Sequence, residues 1–347
     1  MLYVQYPSWL SPIIIPGLPF RWYAIMYLVA FAITYVLFKY QVKEKKLGIS
    51  DDDILSFFFW AIVGLLVGAR LFSAFIYDTH GVYIRAPWLV FWPFDEQGRF
   101  TGFEGMSFHG GLVGIVAALA IYTKVKKIDL LKWGDLLVYA IPLGYTFGRL
   151  GNFINGELWG RASDAPWAMV FPHAPGLSLG IPWVREMADK AGVAMIEGQD
   201  IVNLPRHPSQ LYEAILEGLV LWVLMWFVFR KRDKFRGYGI SWYLIGYGTF
   251  RFIIEYFREP DKGLDYIIRL GPQDAAPEIF VSPFNLSMGQ ILCFLMIVAG
   301  VGLYFFFRWR ASLIPSPKHF DIEQEVARDN ERENRANQRR KTRKKLR

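Results

Sequence analysis

Four polar side chains within ten residues mark where this chain would do chemistry. Gly148-Arg149-Leu150-Gly151-Asn152-Phe153-Ile154-Asn155-Gly156-Glu157 closes an apolar run of membrane length. A bilayer solvates charge poorly, so an arginine, two asparagines and a glutamate at that place point to a site. Arg251 and Glu255 lie four apart on one helix face, Arg258 follows on the same face, and Arg70 adds a further arginine. Two readings stand side by side. Either Arg251 pairs with Glu255 and Arg149 with Glu157 as structural ion pairs, with Glu213 and Glu217 on one face as further counter-charges, or the arginines hold an anion. A planar guanidinium matches phosphate oxygens, and a phospholipid headgroup is the nearest phosphate.

His109 opens another apolar run as Phe108-His109-Gly110-Gly111. Its imidazole is either an interfacial residue bonded to a carbonyl or a general base, with the two glycines leaving room for a substrate. Tyr23 is read as an aromatic-belt anchor or as a substrate-orienting hydroxyl. No second ligand stands at metal spacing from His109, so no metal site is expected. Ser107 and Ser209 lack a Gly-x-Ser-x-Gly context, and no phosphate loop or dinucleotide fingerprint occurs.

The elements that must position these groups are membrane helices. The chain is 53% hydrophobic and 17% aromatic, with thirteen tryptophans, too apolar for an ordinary soluble domain. Seven runs are long enough to cross a hydrocarbon core, at about 20–38, 54–77, 108–123, 135–151, 210–229, 238–257 and 287–308. The expected fold class is all-α: a polytopic membrane protein with seven transmembrane helices. Gly64 and Gly68 predict a small-xxx-small contact on the second run, with Gly110, Gly111 and Gly114 sharing a face of the third. Pro142 predicts a kink in the fourth. Residues 1–310 read as one membrane domain with a head inserted at 152–209, and 311–347 as a basic cytoplasmic tail, disordered by composition.

Lysine and arginine set the orientation. The connections 39–53, 124–134 and 230–237 hold four, four and five of them in short stretches, whereas the longer 78–107, 152–209 and 258–286 hold two, four and three. The positive-inside rule puts the first group in the cytoplasm, the N-terminus outside, and His109, Arg149 and Arg251 at the outer face. The formal charge of +8 comes mostly from the tail, a pattern that suits anionic lipid rather than nucleic acid. The single cysteine, Cys293, excludes a disulfide framework, and the first run lacks the basic leader and small-residue site of a cleavable signal.

The stretch 148–157 resembles the signature of bacterial prolipoprotein diacylglyceryl transferases. Gly105-Met106-Ser107-Phe108-His109-Gly110-Gly111, Arg206-His207-Pro208-Ser209-Gln210-Leu211-Tyr212-Glu213, Tyr247-Gly248-Thr249-Phe250-Arg251 with Glu255, residues 21–27 and Ser287-Met288-Gly289-Gln290 are similar to further motifs of that family. The resemblance implies seven spans, a periplasmic head and an inner-membrane enzyme that uses no cofactor. It implies transfer of the diacylglyceryl group of phosphatidylglycerol to the lipobox cysteine of a prolipoprotein signal peptide, with release of glycerol phosphate. By the same resemblance His109 is the base or thiol-positioning residue, and Arg149 and Arg251 hold the phosphate. Asn152, Asn155 and Glu157 shape the headgroup pocket, and Tyr23, Gly160, Tyr247 and Glu255 assist binding. The long 258–286 connection and the tail depart from the family pattern. A lipid transporter would also gather arginines at one depth, but no internal repeat is visible; an interaction-only scaffold would need neither His109 nor the arginines.

Overall fold

A hydrocarbon interior offers the backbone no water, so apolar runs of this length fold as helices that satisfy their own amides. The computed structural model describes residues 3–15, 21–76, 78, 81–94, 98–99, 105–196, 198–260, 266–272 and 276–313. Their longer helices are α1 (Trp22–Glu44), α2 (Asp51–Ile76), α3 (Phe108–Lys126), α4 (Leu130–Val138), α5 (Ile141–Asn155), α6 (Pro182–Ala191), α7 (Ser209–Arg232), α8 (Tyr238–Ile254) and α9 (Met288–Leu313). Five of these, α1, α2, α3, α7 and α9, are long and apolar enough to cross a membrane, which fits a polytopic membrane protein.

The fourth and sixth predicted spans differ from that pattern. α4 stops at Val138 and α5 begins at Ile141. Pro142 has no N–H to donate and its ring crowds the carbonyl four residues back, which is that of Val138, so the expected kink is a full break. α8 has 17 residues, ending at Ile254 rather than near 257. Most of the tail expected to be disordered, 314–347, lies outside the described residues, as do His80 and His319.

The described residues form two compact units, one running from Lys39 to Trp133 and the other made of the residues up to Phe38 with those from Gly134 onward. Within the first, α2 and α3 cross through glycines. A Cβ on Gly64 would lie 2.5 Å from the Gly114 carbonyl oxygen, and one on Gly68 would lie 2.4 Å from that of Gly110. The small-residue face read from the sequence is therefore a backbone-to-backbone contact. Arg70 is buried and donates to the Gly105 carbonyl at 3.3 Å, the Tyr83 hydroxyl at 3.2 Å and the Val90 carbonyl. It braces the connection leading into α3.

In the other unit, the connection from α5 to α7 has a small core of its own: Ala162, Leu179, Val184, Ala188, Val202 and Leu204. It carries the antiparallel pair β3 (Leu177–Ser178) and β4 (Ile201–Val202), with α6 packed against it. β1 (Val4–Gln5) runs parallel to β2 (Met169–Val170), and β5 (Tyr266–Arg269) pairs with β6 (Asn285–Ser287) ahead of α9. Asp135 accepts from the amides of Gly237 at 2.7 Å and Ile240 at 2.9 Å, satisfying donors at the start of α8 that have no intrahelical partner. α7 is not a plain α-helix. Ala214–Val220 and Leu224–Phe229 widen into π turns, and such turns are frequent at functional sites.

Candidate active site

Three helices of the second unit deliver one buried ionic cluster. α5 supplies Tyr145, Arg149 and Asn152; α7 supplies Glu213 and Glu217, one turn apart; α8 supplies Arg251, with Glu255 and Arg258 following it. Helix geometry dictates the pairing. Tyr145 and Arg149 are four apart, as are Arg251 and Glu255, so each pair shares a face.

Glu213 is the hub. It is fully buried, and its Oε2 lies 2.8 Å from Arg149 Nε and 3.0 Å from Arg251 Nη1, while its Oε1 is 3.9 Å from Arg258 Nε. Arg251 also reaches Glu217 at 3.5 Å and Glu255 at 3.3 Å. The Tyr145 hydroxyl accepts from Arg149 Nε at 2.7 Å and donates to Glu217, tying both carboxylates of α7 to α5. Three guanidiniums thus face three nearly solvent-free carboxylates. Glu213 and Glu217, the further counter-charges of the sequence reading, balance the arginines from another helix. Arg149 pairs with Glu213 and not with Glu157.

Glu157 is instead organised by the end of α5. Its Oε1 accepts from Asn152 Nδ2 at 2.9 Å and Asn155 Nδ2 at 3.2 Å, while Asn152 Oδ1 accepts from Arg149 Nη1 at 3.3 Å. The result is a continuous chain of hydrogen bonds from the cluster to Glu157. Gly156, at φ +64°, makes the left-handed turn that folds Glu157 back, and the Glu157 amide donates to the Asn152 carbonyl at 3.2 Å. Gln210 at the start of α7 donates to the Glu157 carbonyl, and Ser209 to that of Leu158 at 3.0 Å. These bonds lock the α7 entrance to the 148–157 stretch.

Other predicted residues take more modest places. Tyr247 stacks edge-on against Tyr145, ring centroids 5.9 Å apart. Tyr23 meets the Tyr27 hydroxyl at 2.8 Å, and its backbone lies behind Gly151, where a Cβ would come within 3.5 Å of the Tyr23 Cα. Gly160 is a packing requirement: a Cβ would lie 2.3 Å from the Phe257 carbonyl oxygen, and its amide donates to the His207 carbonyl at 2.8 Å. That contact clips the 156–208 connection to the end of α8. His207 beside it is held near pKa 4 by burial, with its Nδ1 3.1 Å from the Tyr212 hydroxyl, so it is neutral at ordinary pH. His109 belongs to the 39–133 unit, exposed in the first turn of α3 behind the Ser107 cap.

Tyr145 and the hub role of Glu213 were not singled out by sequence. Tyr145 carried a usable signal, a phenol one turn before a membrane arginine. Glu213 was seen only as one of several counter-charges.

The comparisons with known proteins agree in direction. The family model described as prolipoprotein diacylglyceryl transferase matches residues 12–306. A phosphatidylglycerol–prolipoprotein diacylglyceryl transferase of Treponema pallidum is 48% identical over 316 residues, covering 87% of this chain and 94% of that relative. The protein of the same name from Treponema denticola is 48% identical over 317 residues, 87% and 93% of the two lengths. That from Chlorobaculum tepidum is 41% identical over 314 residues, 88% and 92%.

Proposed function

The chain belongs to the prolipoprotein diacylglyceryl transferase family, and from that premise we propose how its residues carry out the reaction. The enzyme transfers the diacylglyceryl group of phosphatidylglycerol to prolipoprotein, the first step of lipoprotein maturation. The acceptor atom is the sulfur of the lipobox cysteine. A thiolate is the competent nucleophile, so a base is useful against an ordinary thiol pKa of about 8.5. His109 takes the thiol proton, the sulfur–carbon bond forms at the glycerol carbon, and the carbon–oxygen bond to phosphate breaks. Its electron pair leaves with glycerol phosphate.

Arg149 and Arg251 hold that phosphate. The observation that carries the reading is the shared carboxylate: Glu213 occupies one edge of each guanidinium, at 2.8 and 3.0 Å. An arginine has five N–H donors, so donors remain for an anion. Both side chains keep partial exposure, 17% and 14%, where Glu213 has none. A preorganised donor at a developing phosphate charge lowers the barrier by about 3–4 kcal/mol. Asn152, Asn155 and Glu157 order the headgroup alcohol, while Tyr23, Gly160, Tyr247 and Glu255 support binding. The protein is a seven-span enzyme of the bacterial inner membrane, with α4–α5 and α8 completing the five longer spans and the cluster facing the periplasm.

The test is purified enzyme in detergent with phosphatidylglycerol and a lipobox peptide. Glycerol phosphate release is expected with the cysteine peptide and not with its serine analogue. His109→Gln is expected to abolish transfer while the protein stays folded, and near-normal transfer would sink the base assignment. Unchanged phosphatidylglycerol affinity in Arg149→Ala would remove that residue from the phosphate site.

A further inference from the structure

The family match begins at residue 12, so the described residues before it have no role assigned by that comparison. Their contacts are specific. The Val4 amide donates to the Ala168 carbonyl at 2.8 Å, and β1 then pairs in parallel register with β2. That register sets Tyr6 over the last turn of α5. Its hydroxyl lies 2.9 Å from the Phe153 carbonyl oxygen and 2.8 Å from that of Ile154. The final carbonyls of a helix have no intrahelical donor, so the phenol caps α5 from a distant part of the chain. The Tyr6 ring packs on Phe153 and Phe171, centroids 5.7 and 5.6 Å away. Burial raises the Tyr6 hydroxyl above its ordinary value, which keeps it a donor. Directly beneath it is the Gly156 turn, where a Cβ would come within 3.8 Å of that hydroxyl. Residues 7–12 continue over a cavity of about 320 Å³ whose other wall includes Asn155, Pro172 and His173.

We infer that residues 4–12 are a working part of the lipid-headgroup site, with Tyr6 the positioning residue that fixes the Asn152–Glu157 turn. The inference rests on the proposed reading of that turn as the headgroup pocket. Its logic is mechanical. Asn152 and Asn155 converge on one oxygen of Glu157 because the helix ends at Asn155 and reverses at Gly156. Removing the cap frees the Ile154 carbonyl inside that reversal and lets the two amides spread. The lipid side of the reaction is then weakened, while the peptide side is untouched.

The experiment uses the full chain in detergent and varies phosphatidylglycerol and lipobox peptide separately. Tyr6→Phe keeps the ring and deletes the hydroxyl. KM for phosphatidylglycerol is expected to rise about tenfold, with kcat and the peptide KM within about twofold and only a small fall in Tm. Val4→Pro removes the amide that sets the register without touching Tyr6, and the same lipid-side shift is expected. Unchanged lipid KM in both variants overturns the inference. So does a fall in kcat and Tm that leaves the lipid and peptide KM values alone, since that is a purely structural role. Asn152→Ala is measured beside them. A lipid KM shift there but not in Tyr6→Phe removes the positioning role alone, whereas no shift in either removes the headgroup reading itself.

Discussion

Glu213 decides the fate of its neighbours because it lies within reach of Arg149, Arg251 and Arg258 together. Glu213→Gln keeps the shape and deletes the charge, stranding guanidiniums in a poorly solvated place. Removing one partner of a buried pair typically costs about 3–5 kcal/mol. We expect a lower unfolding midpoint in detergent and loss of transfer by at least roughly a hundredfold. Tyr145→Phe is the gentler probe: about 1 kcal/mol of stability and on the order of tenfold in activity, read from kcat and Tm on the same preparation. His207 offers a pH test. Its pKa is pushed down to about 4 in the folded protein, so between the ordinary value near 6.5 and 4 the unfolded chain binds the extra proton. Stability is therefore expected to be full above pH 6.5 and to fall as pH drops towards 4, and His207→Gln should flatten that part of the Tm–pH curve. An unchanged slope would place the acid sensitivity elsewhere.

Among the elements, spacing along one helix was legible and pairing across helices was not. The glycines of α2 and α3 could be read as a contact because a four-residue repeat states which face is small. The partner of Arg149 could not, since Glu213 stands on another helix and only the packed bundle brings it to 2.8 Å. The nearest acid in sequence, Glu157, was the natural choice, and it is turned away by Gly156. Pro142 was visible, but whether it bends a helix or ends it depends on what replaces the lost bond. Gly160 shows the same limit: as a lone glycine it says little, yet its Cβ would strike the Phe257 carbonyl oxygen at 2.3 Å. Because that neighbour is backbone, Gly160→Ala is expected to cost about 1–3 kcal/mol and to loosen the 156–208 connection from α8. Limited proteolysis should then cut first within residues 156–208; a wild-type digestion pattern would show that the backbone gives way cheaply.

For the whole molecule the charge asymmetry of the connections was the firmest sequence signal, and it makes a direct prediction of topology. The only native thiol, Cys293, is buried in α9, so a Cys293→Ala background is suited to single-cysteine labelling. Gln199→Cys, in the 156–208 connection, is expected to react with a membrane-impermeant thiol reagent applied from the periplasmic side. Lys127→Cys, just past α3, is expected to react only after the membrane is opened. The reverse pattern would turn the proposed orientation over.

The π turns of α7 bear on how this sequence can change over time. Each residue of an α-helix advances the chain by about 100°, and a π turn accommodates one residue more than an α turn does. Losing a single residue between Ala214 and Val220 would turn the π turn into an α turn and leave Leu221, Met225 and Trp226 in the cluster they share with Val138 and Tyr139, whereas gaining one would rotate them away from it by about 100°. Glu213, on the near side of the turn, would keep its place against the arginines. The stretch is therefore expected to absorb the loss of one residue far better than a gain: an insertion would separate the half of the helix that serves the ionic cluster from the half that holds the bundle together.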